Sequence, residues 1–285
     1  LTRVWFITGS SRGLGRHLVE AALANGDHVV ATARRPEQIE ALSTSHADRL
    51  FPVRLDVTEP GAPAAALRTA VERFGRVDIV VNNAGYGSIA PIEDVTDEDF
   101  RSQVDTNLYG PLSVSRAAVP LLRRQGSGHI IQIGSIGGRV GAPGFGVHQA
   151  MKWALEGMSE ALANEVAPFG IKVTIVEPGG LRTDYNGSSR VVGHIRPEYH
   201  ATAGAIAAAL GANSGQEPGD PAKAAQAIVG IAGLEEPPLR LLLGRDAVAY
   251  AEAAAKARDE SDRRWRAVSL SIDADDEATG DELSW

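Results

Sequence analysis

Seven short apolar runs, rich in β-formers, recur along the chain: Val4–Thr8, His28–Ala33, Leu50–Val57, Val77–Val81, His129–Ile133, Lys172–Val176 and Leu239–Leu243. Segments of helical period alternate with them. Thr96 and Asp220 are expected to cap two of these helices and Asp246 the last one. The helix leading from 97 to about 125 is expected to bend at Pro111. Parallel strands need a crossover, and a helix supplies it, so this alternation predicts an α/β fold: a doubly wound, parallel seven-stranded sheet with helices on both faces. Ligands of such sheets sit beyond the carboxyl ends of the strands, near the point where the strand order reverses. Thr8, Ala33, Asp56, Asn82, Ser135 and Pro178 all fall at such ends, which places the candidate site on one rim. The expected organisation is one domain over residues 1–272, with 181–212 as a loop or lid over the substrate, and an acidic tail over 273–285. Within the lid, Leu181 to about Pro197 is polar and shows no period.

Composition narrows the chemistry. The 285 residues are 44% hydrophobic, include no cysteine and carry a formal net charge of -8. Thiolate metal sites, disulfides and thiol nucleophiles are excluded. An acidic chain without a long basic run disfavours nucleic acid and anionic membrane as partners. No apolar stretch is long enough to span a bilayer, and the opening run flows into a glycine-rich turn, so a cytoplasmic protein is expected. His17, His28 and His194 are not spaced with carboxylates as metal ligands are, and no metal is expected.

The first run leads into Gly9-Ser10-Ser11-Arg12-Gly13-Leu14-Gly15 and then a helical pattern. Glycines between a strand and a helix let the backbone approach a pyrophosphate, and the helix amino end offers N–H donors. At the end of the second run, enzymes that take the unphosphorylated dinucleotide place an acid for the ribose hydroxyls. Here Arg34 and Arg35 stand instead, with Arg12 in the glycine loop. Guanidinium groups suit a 2′-phosphate, so NADP(H) is favoured over NAD(H). In Asn82-Asn83-Ala84-Gly85 the amides can pin neighbouring backbone, and the small residues admit a ribose and adenine.

The stretch from Ser135 to Lys152 organises the rest. Ser135 ends the fifth run, and His148 and Lys152 lie four apart on one face of the helix that follows. A hydroxyl, an imidazole and an ammonium can converge there.

Taken together, Thr8–Gly15, Asp56, Asn82–Gly85, Asn107, Ser135, Lys152 and Pro178–Thr183 resemble the short-chain dehydrogenase/reductase family, over about Val4 to Leu243. The Pro-Gly-Gly-Leu-Arg-Thr segment and the long C-terminal part are most similar to its hydroxysteroid- and retinol-dehydrogenase-like branch. The resemblance implies that Ser135 bonds the substrate carbonyl. It implies that Lys152 binds the nicotinamide ribose and lowers a neighbouring pKa, and that Asn107 holds a water in a proton relay. The dinucleotide would contact Gly9, Ser11, Arg12, Gly13, Leu14 and Gly15, with Asp56 and Val57 near the adenine. Asn83, Ala84 and Gly85 would lie along the adenosine, and Pro178, Gly179, Leu181 and Thr183 beside the nicotinamide. Tyr86, Phe145, Gly180 and Tyr185 would line the substrate pocket. The activity implied is hydride transfer between a ketone or aldehyde and an alcohol. A homodimer or homotetramer is implied, pairing long helices near 97–125 and 148–167.

One position departs from the family pattern. Four residues before the lysine the family carries a tyrosine as acid/base, and this chain carries His148; no tyrosine occurs between Tyr109 and Tyr185. Three readings stay open: a natural histidine enzyme, a disabled variant, or an NADP-binding protein with a non-redox or regulatory role. An imidazole titrates near 6.5, and a neighbouring ammonium pushes that down. A neutral imidazole suits removal of an alcohol proton better than donation to a carbonyl.

Overall fold

The structure is a computed structural model that describes residues 2–43, 46–184 and 190–273. The expected sheet is present. Strands β1 (Val4–Ile7), β2 (His28–Ala33), β3 (Leu50–Arg54), β4 (Ile79–Asn82), β6 (Gly128–Ile133), β7 (Ile171–Pro178) and β9 (Arg240–Leu243) pair in the order β3-β2-β1-β4-β6-β7-β9. Every pairing is parallel. The order reverses between β1 and β4, so the crevice at their carboxyl ends is the switch point.

Alternation along β1 divides the core. Trp5 and Ile7 face the layer of α1 (Gly13–Ala24) and α8 (Pro221–Ile231), packing with Leu18, Val19, Ala225 and Ile228. Phe6 faces the opposite layer, where α3 (Ala62–Phe74) and α5 (Gly110–Gln125) contribute Leu67, Ala70, Val114, Ala118 and Leu122. Each fully buried Leu or Ile contributes about 1.5–3 kcal/mol relative to exposure. The expected caps are present: the Thr96 hydroxyl accepts from Asp99 N–H at 3.1 Å at the start of α4 (Asp97–Val104), and Asp220 accepts from Ala222 N–H at 2.8 Å at the start of α8.

Four local expectations change. The third strand stops at Arg54, short of Val57, because Asp56 Oδ1 takes the Thr58 N–H at 3.0 Å and its hydroxyl at 2.7 Å and turns the chain. The long helix over 97–125 changes its hydrogen-bond period just before Pro111. Between α4 and α5 it widens into a π-turn over Asp105–Tyr109, where Gly110 N–H reaches back to Asp105 O. Pro111 has no N–H to offer the Asn107 carbonyl, so the regular ladder breaks there.

Part of the segment read as an unstructured lid is a strand. β5 (Gly87–Ile89) and β8 (Arg190–Val192) form a separate parallel ribbon, too short for alternation to show in sequence. Arg196 clasps Glu93 and Asp94, each at 2.6 Å, and the Tyr199 hydroxyl donates to Glu93 at 2.6 Å. A π-turn over His200–Gly204 leads into α7 (Ala205–Ala212). Finally, Asp246 does not cap the last helix, α9 (Arg245–Leu270); Gly244 occupies that place and Asp246 reaches the rim. Residues 274–285 of the acidic tail lie outside the described residues, as does Tyr185.

Candidate active site

The glycine loop is closed by the chain after β4. Asn83 Nδ2 donates to Thr8 O at 2.9 Å and Gly9 O at 3.0 Å, and the Thr8 hydroxyl accepts from the N–H groups of Asn83 and Ala84 at 2.9 and 3.0 Å. The approach is tight enough to require glycine: a Cβ at Gly15 would lie 2.3 Å from Gly9 O and 2.4 Å from Asn83 Nδ2. Gly9 also has φ +67°, a conformation that disfavours side chains. At the start of α1, Arg12 is the N-cap and its side chain makes no cap hydrogen bond. The first-turn N–H groups, with Ser11 before them and Leu14 buried behind, are therefore open to an anion. That cradle fits a dinucleotide pyrophosphate.

Arg12, Arg34 and Arg35 are exposed around this cradle. Asp56 sits just beyond β3. Burial raises its pKa, but the two Thr58 bonds and the charges of Arg34 and Arg54 outweigh that and hold it below the ordinary carboxylate range. Val57 is buried where the helix passes, and a Cβ at Gly110 would stand 2.8 Å from its Cγ2.

Helix α6 (Gly146–Val166) brings His148 and Lys152 to the rim beside β6. Lys152 Nζ donates to Ile133 O at 2.7 Å. Burial lowers the lysine to about 8, with Glu156 opposing. The His148 ring is buried, edge-on to Phe145 at 6.4 Å, and it bonds the Tyr86 carbonyl. Burial and then the Lys152 charge lower its pKa to about 3, with the Tyr86 bond opposing. Ser135 begins a short turn over Ile136–Gly138, and its Oγ accepts from Gly137 N–H at 3.0 Å.

Asn107 lies in the π-turn, and its Oδ1 accepts from Tyr86 N–H at 3.1 Å. A Cβ at Gly85 would approach that oxygen to 2.8 Å. The Tyr86 peptide thus joins Asn107 to His148. The sequence singled out Tyr86 for its ring, whereas the structure also uses its backbone as a strut.

Pro178 ends β7, and the loop after it is held from α9. Gly180 N–H donates to Asp246 Oδ2 at 2.7 Å, and a Cβ at Gly179 would stand 2.3 Å from both Asp246 oxygens. Leu181 bridges Gly219, and Thr183 lies over Gly13, 3.6 Å from where its Cβ would be. Sequence reasoning missed Asp246 here, and it missed Glu156 and Glu177 behind Ser135. A carboxylate one turn after Lys152 and another just before Pro178-Gly179 were the available signals.

The sequence signature of the short chain dehydrogenase family matches residues 3–191. The chain belongs to the short-chain dehydrogenase family. An oxidoreductase of Botryotinia fuckeliana, BOA17, is 52% identical over 95% of this chain and 99% of its own length. The crystal structure of a short-chain dehydrogenase from Streptomyces avermitilis superposes with a TM-score of 0.89 at 39% identity, covering 96% of this chain and 100% of that one. A serine dehydrogenase in its closed form with NADP+ has a TM-score of 0.73 at 25% identity, over 84% of this chain and 94% of that one. Family membership makes the chain an oxidoreductase by descent and fits the pyrophosphate cradle at α1. Among the described residues no helix is long and apolar enough to cross a membrane, and no group of His, Asp and Glu is placed to hold a metal ion.

Proposed function

We propose that the protein is an NADP(H)-dependent oxidoreductase that interconverts a ketone or aldehyde and an alcohol, with His148 in the acid/base position. The observation that carries this reading is the convergence at the end of β6: His148 and Lys152 share one face of α6, and Lys152 Nζ is tied to Ile133 O, two residues before Ser135. The nicotinamide, when bound, gives or takes the hydride. Arg12, Arg34 and Arg35 hold the 2′-phosphate by charge-assisted bonds, and no acid at the end of β2 opposes them. The NADP+ in the related serine dehydrogenase supports this choice. Lys152 holds the nicotinamide ribose, and the Ser135 hydroxyl donates to the substrate oxygen. The loop from Pro178 to Thr183, steadied by Asp246, lines the nicotinamide. Phe145, Gly180 and Tyr86 line the substrate side.

The Tyr86 bond gives the chemistry a direction. A neutral imidazole has one N–H, and His148 gives it to the Tyr86 carbonyl. The other ring nitrogen then presents a lone pair. Such a group takes a proton from an alcohol, and it does not deliver one to a carbonyl, so oxidation of the alcohol is the favoured direction. The same observation supports a second reading, an NADP-binding member of the family impaired in reduction.

A panel of ketones and secondary alcohols, run in both directions with NADPH and NADP+, separates the two. Measurable oxidation of a secondary alcohol supports the enzyme. Tight NADPH binding with no turnover on any compound overturns it in favour of the impaired protein. We further propose that two copies pair through α4–α5 and α6, whose exposed Phe100, Tyr109 and Trp153 are apolar surface for such a contact. Light scattering that finds only monomer at micromolar concentration overturns that assembly.

A further inference from the structure

Behind the Ser135 turn lies a buried carboxyl pair that the chemistry above does not use. Glu177, the penultimate residue of β7, is 0% exposed and is held by Arg139 through two bonds of 2.5 and 2.6 Å. Glu156 is buried on α6, one turn after Lys152, and its Oε2 accepts from Arg240 Nε at 2.9 Å. Arg240 also bonds Glu160 at 2.8 Å. The side chains of Glu156 and Glu177 are hydrogen-bonded to each other. Two carboxylates offer only lone pairs, so that bond exists only if one of them carries a proton. Oε2 of Glu156 faces Arg240, and its Oε1 is buried and finds no donor.

Arg139 is held by Glu177, Arg240 is shared between Glu156 and Glu160, and the Lys152 ammonium is turned to Ile133 O. From α9, Arg258 donates to the Arg139 carbonyl, and Asp246 stands beyond Gly179. A second ionised carboxylate beside Glu177 would be repelled by it at close range. Burial, and then the neighbouring Glu177 charge, raise Glu156 to about 7.

The pair also touches the turn that carries Ser135. A Cβ at Gly134 or at Gly138 would stand 3.3 Å from Glu156 Oε1, and Gly138 backs onto Lys152 O at 3.2 Å. The Glu156 carboxyl is thus lodged between the two glycines that flank Ser135.

We propose that Glu156 is a positioning residue: its Oε1 carries a proton donated to Glu177, and this singly charged pair seats the Ser135 turn against α6 beside Lys152. The role assigned to the turn rests on the function proposed above, but the proton itself does not. When Glu156 ionises, the two carboxylates repel and the turn loses its support.

Two measurements test this. The first is a carbon-13 NMR titration of glutamate-labelled full-length protein from about pH 5 to about pH 9, where ordinary glutamates are already ionised. One carboxyl titrating near neutrality, connected to Glu156 by its side-chain methylenes and missing in Glu156→Gln, is the expected result. Only ordinary glutamate titrations overturn the proposal, as does a neutral titration that traces to another residue. The connectivity assignment in the wild-type protein decides even if the variant does not fold. The second is the pH profile of kcat and of NADPH affinity. Glutamine keeps a donor for Glu177 at every pH, so the ratio of wild-type to Glu156→Gln kcat is expected to fall several-fold as pH rises through 7, with NADPH affinity at pH 7 little changed. A neutral titration with a pH-independent ratio removes the positioning role. Absence of turnover in either protein counts against the proposed function, while the carboxyl titration still decides the shared proton.

Discussion

Lys152 Nζ donates to the carbonyl of Ile133 at 2.7 Å, so the ammonium on α6 is fastened to the last residue of β6. One bond fixes the distance between the helix face that carries His148 and the strand end that leads to Ser135. Burial lowers this lysine to about 8, so its charge is present at neutral pH and lost in mild alkali. NADPH affinity is expected to fall several-fold as pH rises through about 8. Lys152→Arg is expected to flatten that fall, and Lys152→Met to show the weak affinity at every pH. Fluorescence titration of NADPH below and above that value checks it.

His148→Tyr is expected to raise carbonyl reduction by about 10²- to 10⁴-fold, the usual contribution of a well-placed general acid. A phenol beside an ammonium keeps a proton to give at neutral pH, whereas the neutral imidazole has given its only N–H to Tyr86. With a pKa of about 3, His148 gains no proton between pH 5 and 9, so reduction by the present protein should not climb toward pH 5 through this group. Initial rates with NADPH and a reactive diketone, for the wild type, His148→Tyr and His148→Ala, test both statements. If the tyrosine variant gains nothing and the alanine variant matches the wild type, residue 148 is not where the proton moves.

Two buried imidazoles make the fold sensitive to acid. His148 is lowered from 6.5 to about 3 and His129 to about 4, in each case first by burial. His129 gives its Nε2 proton to Thr174 Oγ1 at 2.9 Å, since that hydroxyl donates to Pro238 O. Folding therefore favours the neutral rings. The stability they contribute is complete above 6.5 and is lost as pH falls toward the folded values, on the order of 1.4 kcal/mol per pH unit for each ring. Urea unfolding at pH 7 and pH 5 should show the loss, and His148→Tyr should reduce the slope. Equal slopes for the two proteins would refute the assignment of His148.

Arg34→Asp is expected to weaken NADPH at least tenfold while leaving NADH within a few-fold, since a carboxylate there repels a 2′-phosphate and suits ribose hydroxyls. The existing Asp56 lies close enough to Arg34 to be lowered by it, so the variant should also raise the Asp56 pKa. Equal affinity of the unaltered protein for the two reduced cofactors would sink the NADP assignment.

Gly179→Ala is expected to weaken NADPH at least tenfold, because its Cβ would collide with the Asp246 carboxylate at 2.3 Å. Asp246→Ala removes the obstacle along with the Gly180 bond. The double variant should therefore bind better than Gly179→Ala alone, a coupling that isothermal titration of the four proteins reads directly.

The five inner strands were legible because each is buried on both faces and so appears as a mostly apolar run, and the half-buried edge strands β3 and β9 still show short apolar runs. Thr96 and Asp220 were legible as caps because their partners lie within three residues. The glycine loop and the His148–Lys152 face follow from local spacing in the same way. What escaped depends on partners remote in sequence. The β5–β8 ribbon joins two three-residue strands a hundred residues apart, and neither has a period to display. Asp246 looked like a helix cap because the helix does begin there, but its carboxylate meets a loop on another strand. Glu156 falls mid-helix in α6 and Glu177 near the end of β7, and nothing in the local sequence of either reveals that the two side chains meet.

The π-turn at Asp105–Tyr109 has a consequence for how this chain tolerates length change. Such a turn holds one residue more than an α-helix of the same rise, so α4 and α5 are out of phase by about 100°. Deleting a single residue from it would bring α4 and α5 back into α-helical phase, with the ladder interrupted only where Pro111 lacks an N–H. The deletion would also swing Asn107 around the axis, away from the Tyr86 N–H, and take with it the strut that reaches His148. A helix made more regular at this point would be a worse frame for the site, so the irregularity is the part of the helix least open to shortening.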